Sequence, residues 1–268
     1  MSRIFATAGS AVNEIARDLY EMGVTRVTET MQDKIIIGDT DFHTRELFNY
    51  SFCVVDIGSI DKVFPTFGQD ISWAIEEFIE RKSEEYINPG FAWKQRPEMW
   101  KQFLERNKGR FSYTYNERYR TQLPLLVTRA VEDPFSRQLI LSMWDPTIDP
   151  KKLGRDRVPC SIMYHFIARR TIDNKIAFDM IYHMRSCDFV NHFINDLFLA
   201  GKLLTEFVWQ VTVLASTNYV ANNYFNASAN EALKLLEVGD LYMNISSLHY
   251  YRKDEDKVKG IMEQWQGE

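Results

Sequence analysis

A few residues of this 268-residue chain combine a reactive side chain with a setting that invites chemistry. Cys160 follows Pro159 and closes a loop rich in Lys, Arg and Asp, with Arg157 three positions upstream. A cysteine attacks as its thiolate, and nearby cations favour that form. A buried cysteine at a strand start is the plain alternative. Arg185-Ser186-Cys187-Asp188 ends a strand-like run, where a guanidinium fork beside a hydroxyl suits a phosphate. A surface turn would look the same. Asp133-Pro134-Phe135-Ser136-Arg137 reads as a turn opening a strand. Glu76 and Glu77 lie on an amphipathic helix, where a solvated face is the ordinary reason for glutamate. His249 and Tyr251 flank Tyr250 on a strand and share one face. Each signal has a structural explanation, so their order and spacing carry the argument.

The elements that position these residues follow a mixed order. Residues 1–23 read as an amphipathic helix, clearest over 9–23, with Glu14, Arg17 and Asp18 on its wet side. KIIIG at 34–38 reads as a strand. Ile71, Ala74, Ile75, Phe78 and Ile79 have helical spacing, with Asp70 as the cap. Residues 97–106 read as a helix and 137–144 as a strand. CSIMYHFIARR and KIAFDMIYHMRS flank Thr171–Asn174 as a long hairpin. A long helix spans about 189–213, and 241–251 is a last strand. This pattern predicts a single α+β domain over residues 1–268.

Composition narrows the function classes. A net charge of −5 leaves no basic footprint, so nucleic acid is not an expected partner. A free anionic nucleotide needs only a few local arginines. Three cysteines, an odd and sparse count, suggest a reducing compartment. No Cys/His spacing suggests a metal. The opening segment lacks the unbroken apolar run of a secretory signal. The stretch FINDLFLAGKLLTEFVWQVTVLAS contains Asp196, Lys202 and Glu206 and reads as a buried helix rather than a membrane span.

At Pro159-Cys160, Arg185-Ser186-Cys187-Asp188, Val238-Gly239-Asp240 and His249-Tyr250-Tyr251 the chain resembles the thymidylate synthase superfamily. Asp133–Arg137 resembles that family's arginine turn, and Gly109–Tyr115 the segment supplying an active-site tyrosine. Trp100 resembles its folate-side tryptophan, and Glu77 its catalytic glutamate, with Glu76 the alternative. The matches run in the family's order over residues 28 to 251. The resemblance implies a mixed sheet with packed helices and a sheet face at a homodimer interface. It also implies a pyrimidine nucleoside monophosphate substrate and 5,10-methylenetetrahydrofolate as co-substrate. Cys160 would attack C6 of the pyrimidine, with Glu77 and Tyr115 as further catalytic residues. Arg185 and Ser186 would hold the phosphate, helped by Arg137 of a partner subunit. Gln138 stands where a second arginine is usual. His249 and Tyr251 would hold the sugar hydroxyl, and Trp100 and Asp188 would contact folate.

One position sharpens the substrate. Eleven residues after Arg185, where thymidylate synthases carry a base-reading Asn, this chain has Asp196. Deoxycytidylate hydroxymethylases resemble it there. A carboxyl can accept from cytosine N4–H₂ and share a proton with N3, so Asp196 is expected both to read the base and to assist catalysis. Asn195 immediately precedes it, and a slip of one residue would restore an Asn. The resemblance therefore implies a cytoplasmic (deoxy)cytidylate 5-hydroxymethyltransferase, in the host cytoplasm if phage-encoded. A dCMP or dUMP C5-methyltransferase of the same fold is the alternative. A catalytically silent nucleotide-binding paralogue is the rival from another class. Departures from the family fall on the phosphate and folate sides. Thr28 stands at the phosphate-loop arginine's place, with Arg26 or Lys34 as candidate substitutes. His192 replaces a glycine near the folate, and residues 217–233 resemble an insertion. Only 17 residues follow Tyr251, shorter than the segment that closes over folate in that family.

Overall fold

Arg3–Thr7 forms strand β1 and Ala8–Met22 forms helix α1, in a computed structural model that describes residues 3–31, 34–35, 38–105, 108–152, 157–217 and 235–264. Thr7 caps the helix, its hydroxyl accepting from the Ser10 amide at 3.3 Å. A helix running from the first residues is therefore corrected to strand then helix. Asp18 is also not on a wet face. It is buried and ion-paired with Arg3 of β1, whose charge allows the carboxylate inside.

Six strands line up in the order β1-β5-β10-β8-β7-β6. They include β5 (Thr44–Asp56), β6 (Ile140–Ser142), β7 (Ser161–Arg170), β8 (Ile176–Met184) and β10 (Leu236–Tyr251). Short strand β2 (Val24–Arg26) pairs with β5, and β9 (Cys187–Asp188) pairs with β10. Two-residue strands β3 (Thr30–Met31) and β4 (Lys34–Ile35) form a separate hairpin. The sheet is mixed: β1 runs parallel to β5 and β8 parallel to β10, while the other neighbours are antiparallel. The β7–β8 hairpin turns where expected, with Asn174 in the left-handed region at φ 61°. Gly239 in β10 explains part of the Val-Gly-Asp motif. A Cβ there would meet the Phe178 carbonyl oxygen at 2.8 Å.

The helices are α2 (Ser72–Lys82), α3 (Pro97–Trp100), α4 (Tyr115–Glu132), α5 (Phe193–Thr217) and α6 (Glu255–Gln264). Asp70 accepts from the Ser72 amide at 2.5 Å at the start of α2. α5 starts at 193 rather than 189, because the Asp188 carboxylate accepts from the amides of Val190 and Asn191 at 3.1 Å and folds those residues into a turn. The expected strand over 137–144 shortens to three residues, after a turn in which Ser136 donates its amide to Asp133 O. Of the expected strand at 34–38, residues 36–37 lie outside the described set, as does most of the 217–233 segment.

α5 is long and apolar enough to cross a membrane by length and composition, yet it is a core helix. Phe193, Leu197, Leu203, Leu204, Phe207 and Val211 are all buried. The Phe207 ring stacks on Phe166 of β7 at 3.9 Å and meets Phe178 of β8 edge-on at 5.4 Å. Along β10, Leu241, Met243, Ile245, Leu248 and Tyr250 are buried, while Tyr242, Asn244, His249 and Tyr251 are only partly covered. Among the described residues, Ile4, Phe48 and Val55 are exposed apolar side chains on the sheet. Replacing Phe207 by Ala should cost about 3–5 kcal/mol in urea unfolding, because a ring leaves a closed site. Trp209→Ala on the exposed side of α5 should change stability by about 0.5 kcal/mol or less.

Candidate active site

Cys160 lies immediately before β7, with its sulfur partly accessible. Its backbone carbonyl accepts from the Arg185 amide at 2.9 Å, which ties the end of β8 to the cysteine loop. The Arg185 guanidinium reaches the same loop. It donates to Pro159 O at 2.9 Å, to Val158 O at 3.2 Å and to the Cys160 sulfur at 3.6 Å. Burial pushes the thiol pKa up; Arg185 and Arg157 pull it down, while Asp196 pushes it further up. Proton removal from Cys160 is thus disfavoured by burial and helped by two guanidinium groups.

Asp196, on the first turn of α5, is half-buried among charges. Burial raises its carboxyl to about 7, with Arg81 opposing the shift and Glu77 and Asp188 adding to it. The Cys187 thiol donates to its Oδ2 at 3.7 Å. Asn195 makes a different set of contacts. Its amide donates to Gln69 Oε1 at 2.7 Å, and Gln69 in turn donates to Val190 O at 3.0 Å. Asp196, not Asn195, therefore shares the electrostatic environment of Cys160.

Glu77 and Tyr115 converge from different helices. Glu77 of α2 accepts from Arg81 Nε at 2.8 Å, and the Arg81 guanidinium lies 3.9 Å from the centre of the Tyr115 ring. The Tyr115 hydroxyl, at the first residue of α4, accepts from Ser161 Oγ at 3.1 Å, beside Cys160. A cavity of about 40 Å³ lies among Glu77, Arg81, Trp100, Tyr113, Tyr115 and Arg157. That is room for a few waters at most. Glu76 is not among its lining residues.

Trp100 is already engaged. Trp73 stacks on it at 5.7 Å, the Arg157 guanidinium sits 4.5 Å from its ring centre, and His192 meets it edge-on at 6.3 Å. Burial lowers the His192 pKa. The aromatic surface suits a flat heterocycle in kind. The space beside it, however, does not hold a bicyclic ring while Arg157 covers Trp100. Asp188 is committed to its own turn, accepting from the Val190 and Asn191 amides and from Asn191 Nδ2 at 2.9 Å.

His249 and Tyr251 share a face as expected, their rings edge-to-face at 5.5 Å. Burial pushes the Tyr251 hydroxyl up to about 12, with the charges of Asp188 and Cys160 adding to the shift. Ser186 lies between β8 and β9, next to exposed Arg185. Arg26 is an ion-pair partner of buried Glu46 at 3.5 Å, and Thr28 donates to Phe42 O at 3.4 Å. The Lys34 side chain lies outside the described set. Arg137 and Gln138 are exposed before β6. Arg137 O contacts His165 Nε2 at 3.1 Å and Gln138 accepts from Arg129 at 3.2 Å. They are not among the residues gathered around Cys160 in this chain. The sequence reading missed Arg81, and it named Arg157 only as a cation near Cys160, not as the cover of Trp100. Arg81 was detectable as the i+4 partner of Glu77.

No protein-family model matches the chain, and no curated protein matches it. Among solved structures it is similar to thymidylate synthase from T4 phage, with a TM-score of 0.61, 19% identity, and coverage of 96% of this chain and 80% of that one. At that identity the likeness establishes the fold: the chain has a thymidylate synthase-like α+β architecture.

The raised Asp196 carboxyl has a consequence for stability. An aspartate normally titrates near 3.9, so between about pH 4 and pH 7 the folded state holds a proton that the unfolded state has lost. Stability from this group is therefore undiminished below pH 4 and falls as pH rises through 7. Asp196→Asn removes the ionisation. Across that window, equilibrium unfolding should show the variant gaining on wild type by up to about 4 kcal/mol. A difference that stays flat with pH would refute the raised carboxyl.

Proposed function

We propose that this protein transfers a one-carbon unit to C5 of a cytidine monophosphate, dCMP or CMP, and releases the 5-hydroxymethyl nucleotide. The observation that carries the reading is Asp196 beside Cys160, with Asn195 turned to Gln69. Uracil offers an acceptor at O4 and a donor at N3; cytosine offers a donor at N4 and a bare N3. A carboxyl titrating near 7 can accept from N4–H₂ and give its proton to N3. The wrong base would leave a buried polar contact unmade, at about 1–3 kcal/mol.

In this reading Cys160 Sγ bonds to C6, and the electron pair moves to C5. Protonation at N3 by Asp196 makes C6 more electrophilic. Methylenetetrahydrofolate supplies the one-carbon unit, and its binding beside Trp100 and Asp188 requires Arg157 to move. Glu77, neutralised by Arg81, orders water on the side of Tyr115. C5 then loses its proton as the bond from the transferred carbon to the tetrahydrofolate nitrogen breaks; water adds to the exocyclic methylene so formed, and the electron pair released at C5 restores the C5–C6 double bond as the C6–S bond breaks to free Cys160. Arg185 and Ser186 bind the phosphate. Arg137 and Gln138 join them from a second copy, docked on the open sheet face as a homodimer. His249 and Tyr251 hold the sugar hydroxyl.

Two experiments test this. The protein is incubated with CMP, dCMP, UMP or dUMP plus methylenetetrahydrofolate, and product masses are read. A hydroxymethylated cytidylate is expected. A methylated uridylate would instead establish the thymidylate-forming alternative, and no product with any nucleotide would favour a silent paralogue. Cys160→Ser should abolish turnover with nucleotide binding largely kept, whereas Cys53→Ala should not.

Asp196→Asn should move preference from the cytidylate towards the uridylate. Its loss of cytidylate kcat should exceed its loss of binding, because the shared proton assists attack by Cys160. For wild type, kcat/KM on the cytidylate should fall as pH rises through about 7, and the variant should lack that limb. A wild-type enzyme that already prefers dUMP would overturn the assignment.

A further inference from the structure

A second cavity lies on the other side of the sheet from the sugar-binding pair. It has a volume of about 460 Å³ and is lined by His43, Thr44, Arg45, Tyr250, Arg252 and Glu255, with Tyr20 and Thr25 completing its wall. That volume falls within the range of small-molecule sites. Tyr250 separates His249 from Tyr251 in β10, so its side chain points to the opposite face from theirs. The cavity is therefore distinct from the space around Cys160.

The polar groups here are unsatisfied in a consistent way. The Tyr250 hydroxyl is buried and has no hydrogen-bond partner of proper geometry, although its cross-strand partner Arg45 lies beside it. Buried hydroxyls are ordinarily hydrogen-bonded. Arg45 is held in place from behind, donating to Tyr20 O at 2.8 Å and to Thr25 Oγ1 at 3.4 Å. Those bonds leave further guanidinium donors free. Among the described residues, neither Arg45 nor Arg252 has a carboxylate within ion-pair distance. Glu255 is the acidic member of the wall, and Lys259 already pairs with it at 2.9 Å. Two guanidinium charges thus remain unbalanced on a cavity that Tyr250 also lines.

We propose that this cavity is a second anion site, which takes a phosphate-bearing small molecule. A tetrahedral dianion accepts from guanidinium forks and hydroxyls together. The volume exceeds that of a bare ion, which points to a phosphorylated metabolite rather than phosphate alone. The inference does not depend on which base the protein modifies.

Inorganic phosphate is the probe. Calorimetry is run on the full chain carrying Arg185→Ala, which weakens any phosphate site beside Cys160, at constant ionic strength. Saturable binding of one phosphate is expected. Adding Arg252→Ala or Tyr250→Phe should weaken it about ten-fold or more. Arg252 is exposed and Tyr250→Phe removes a single oxygen, so both proteins should fold, as circular dichroism will verify. The proposal is overturned if the Arg185→Ala protein shows no saturable binding, or if neither added substitution weakens it.

Discussion

The buried guanidinium of Arg81 is the charge on which the arrangement of Glu77, Tyr115 and Asp196 depends. It sits almost wholly out of water, where a lone cation would be prohibitive. Glu77 one turn earlier on α2 supplies the compensating charge, and the Tyr115 ring supplies a π-face. In return Arg81 fixes both residues. Its charge also opposes the upward shift of Asp196, so the carboxyl lies near neutrality rather than far above it. One cation thus couples α2, α4 and α5 around a single point. Removing it would strand Glu77 and loosen Tyr115 together.

A second clamp works on Cys160. Arg185 holds Pro159, Val158 and the Cys160 sulfur at once, and its amide bonds the Cys160 carbonyl. The side chain expected to meet a phosphate therefore also shapes the cysteine loop. A phosphate arriving at Arg185 would draw on the donors that now reach the loop and the sulfur. In the proposed reaction, substrate binding and thiol activation would be linked through one guanidinium, since its field is among the influences that favour the thiolate.

Where the periodicity was long and clean, the fold was readable. The β7–β8 hairpin is two long apolar runs either side of a four-residue polar turn, and α5 carries an apolar stripe that only a helix explains. β5 hid because Asn49 takes a left-handed conformation at φ 51° and breaks the alternation midway. α4 hid because its sequence is charged and contains Pro124. β1 was absorbed into the following helix because five residues are too few to show a period. The site was legible where short motifs sit at strand ends. Cys160, Arg185 and Asp188 come together for that reason, whereas Arg81 and Arg157 carry no motif. Their places against Tyr115 and Trp100 show only when α2 and the cysteine loop meet the same aromatic wall.

That wall also bears on the proposed folate side of the site. The family-like tryptophan is present, but Trp100 is stacked on Trp73, covered by Arg157 and edged by His192. His192 brings a ring to a position where the family's glycine has none. Arg157 gains cation–π contact with Trp100, Phe103 and Tyr113, at 4.5, 4.6 and 5.7 Å. A flat co-substrate must replace those contacts with stacking of its own, so part of its binding energy goes into moving Arg157. The same displacement would weaken one of the two cationic influences on Cys160. Arg157 therefore links the two halves of the site: its present position supports the thiolate, and its departure opens the aromatic surface. For the proposed reaction, this arrangement favours an order of events in which Cys160 would engage the nucleotide before the co-substrate reaches Trp100.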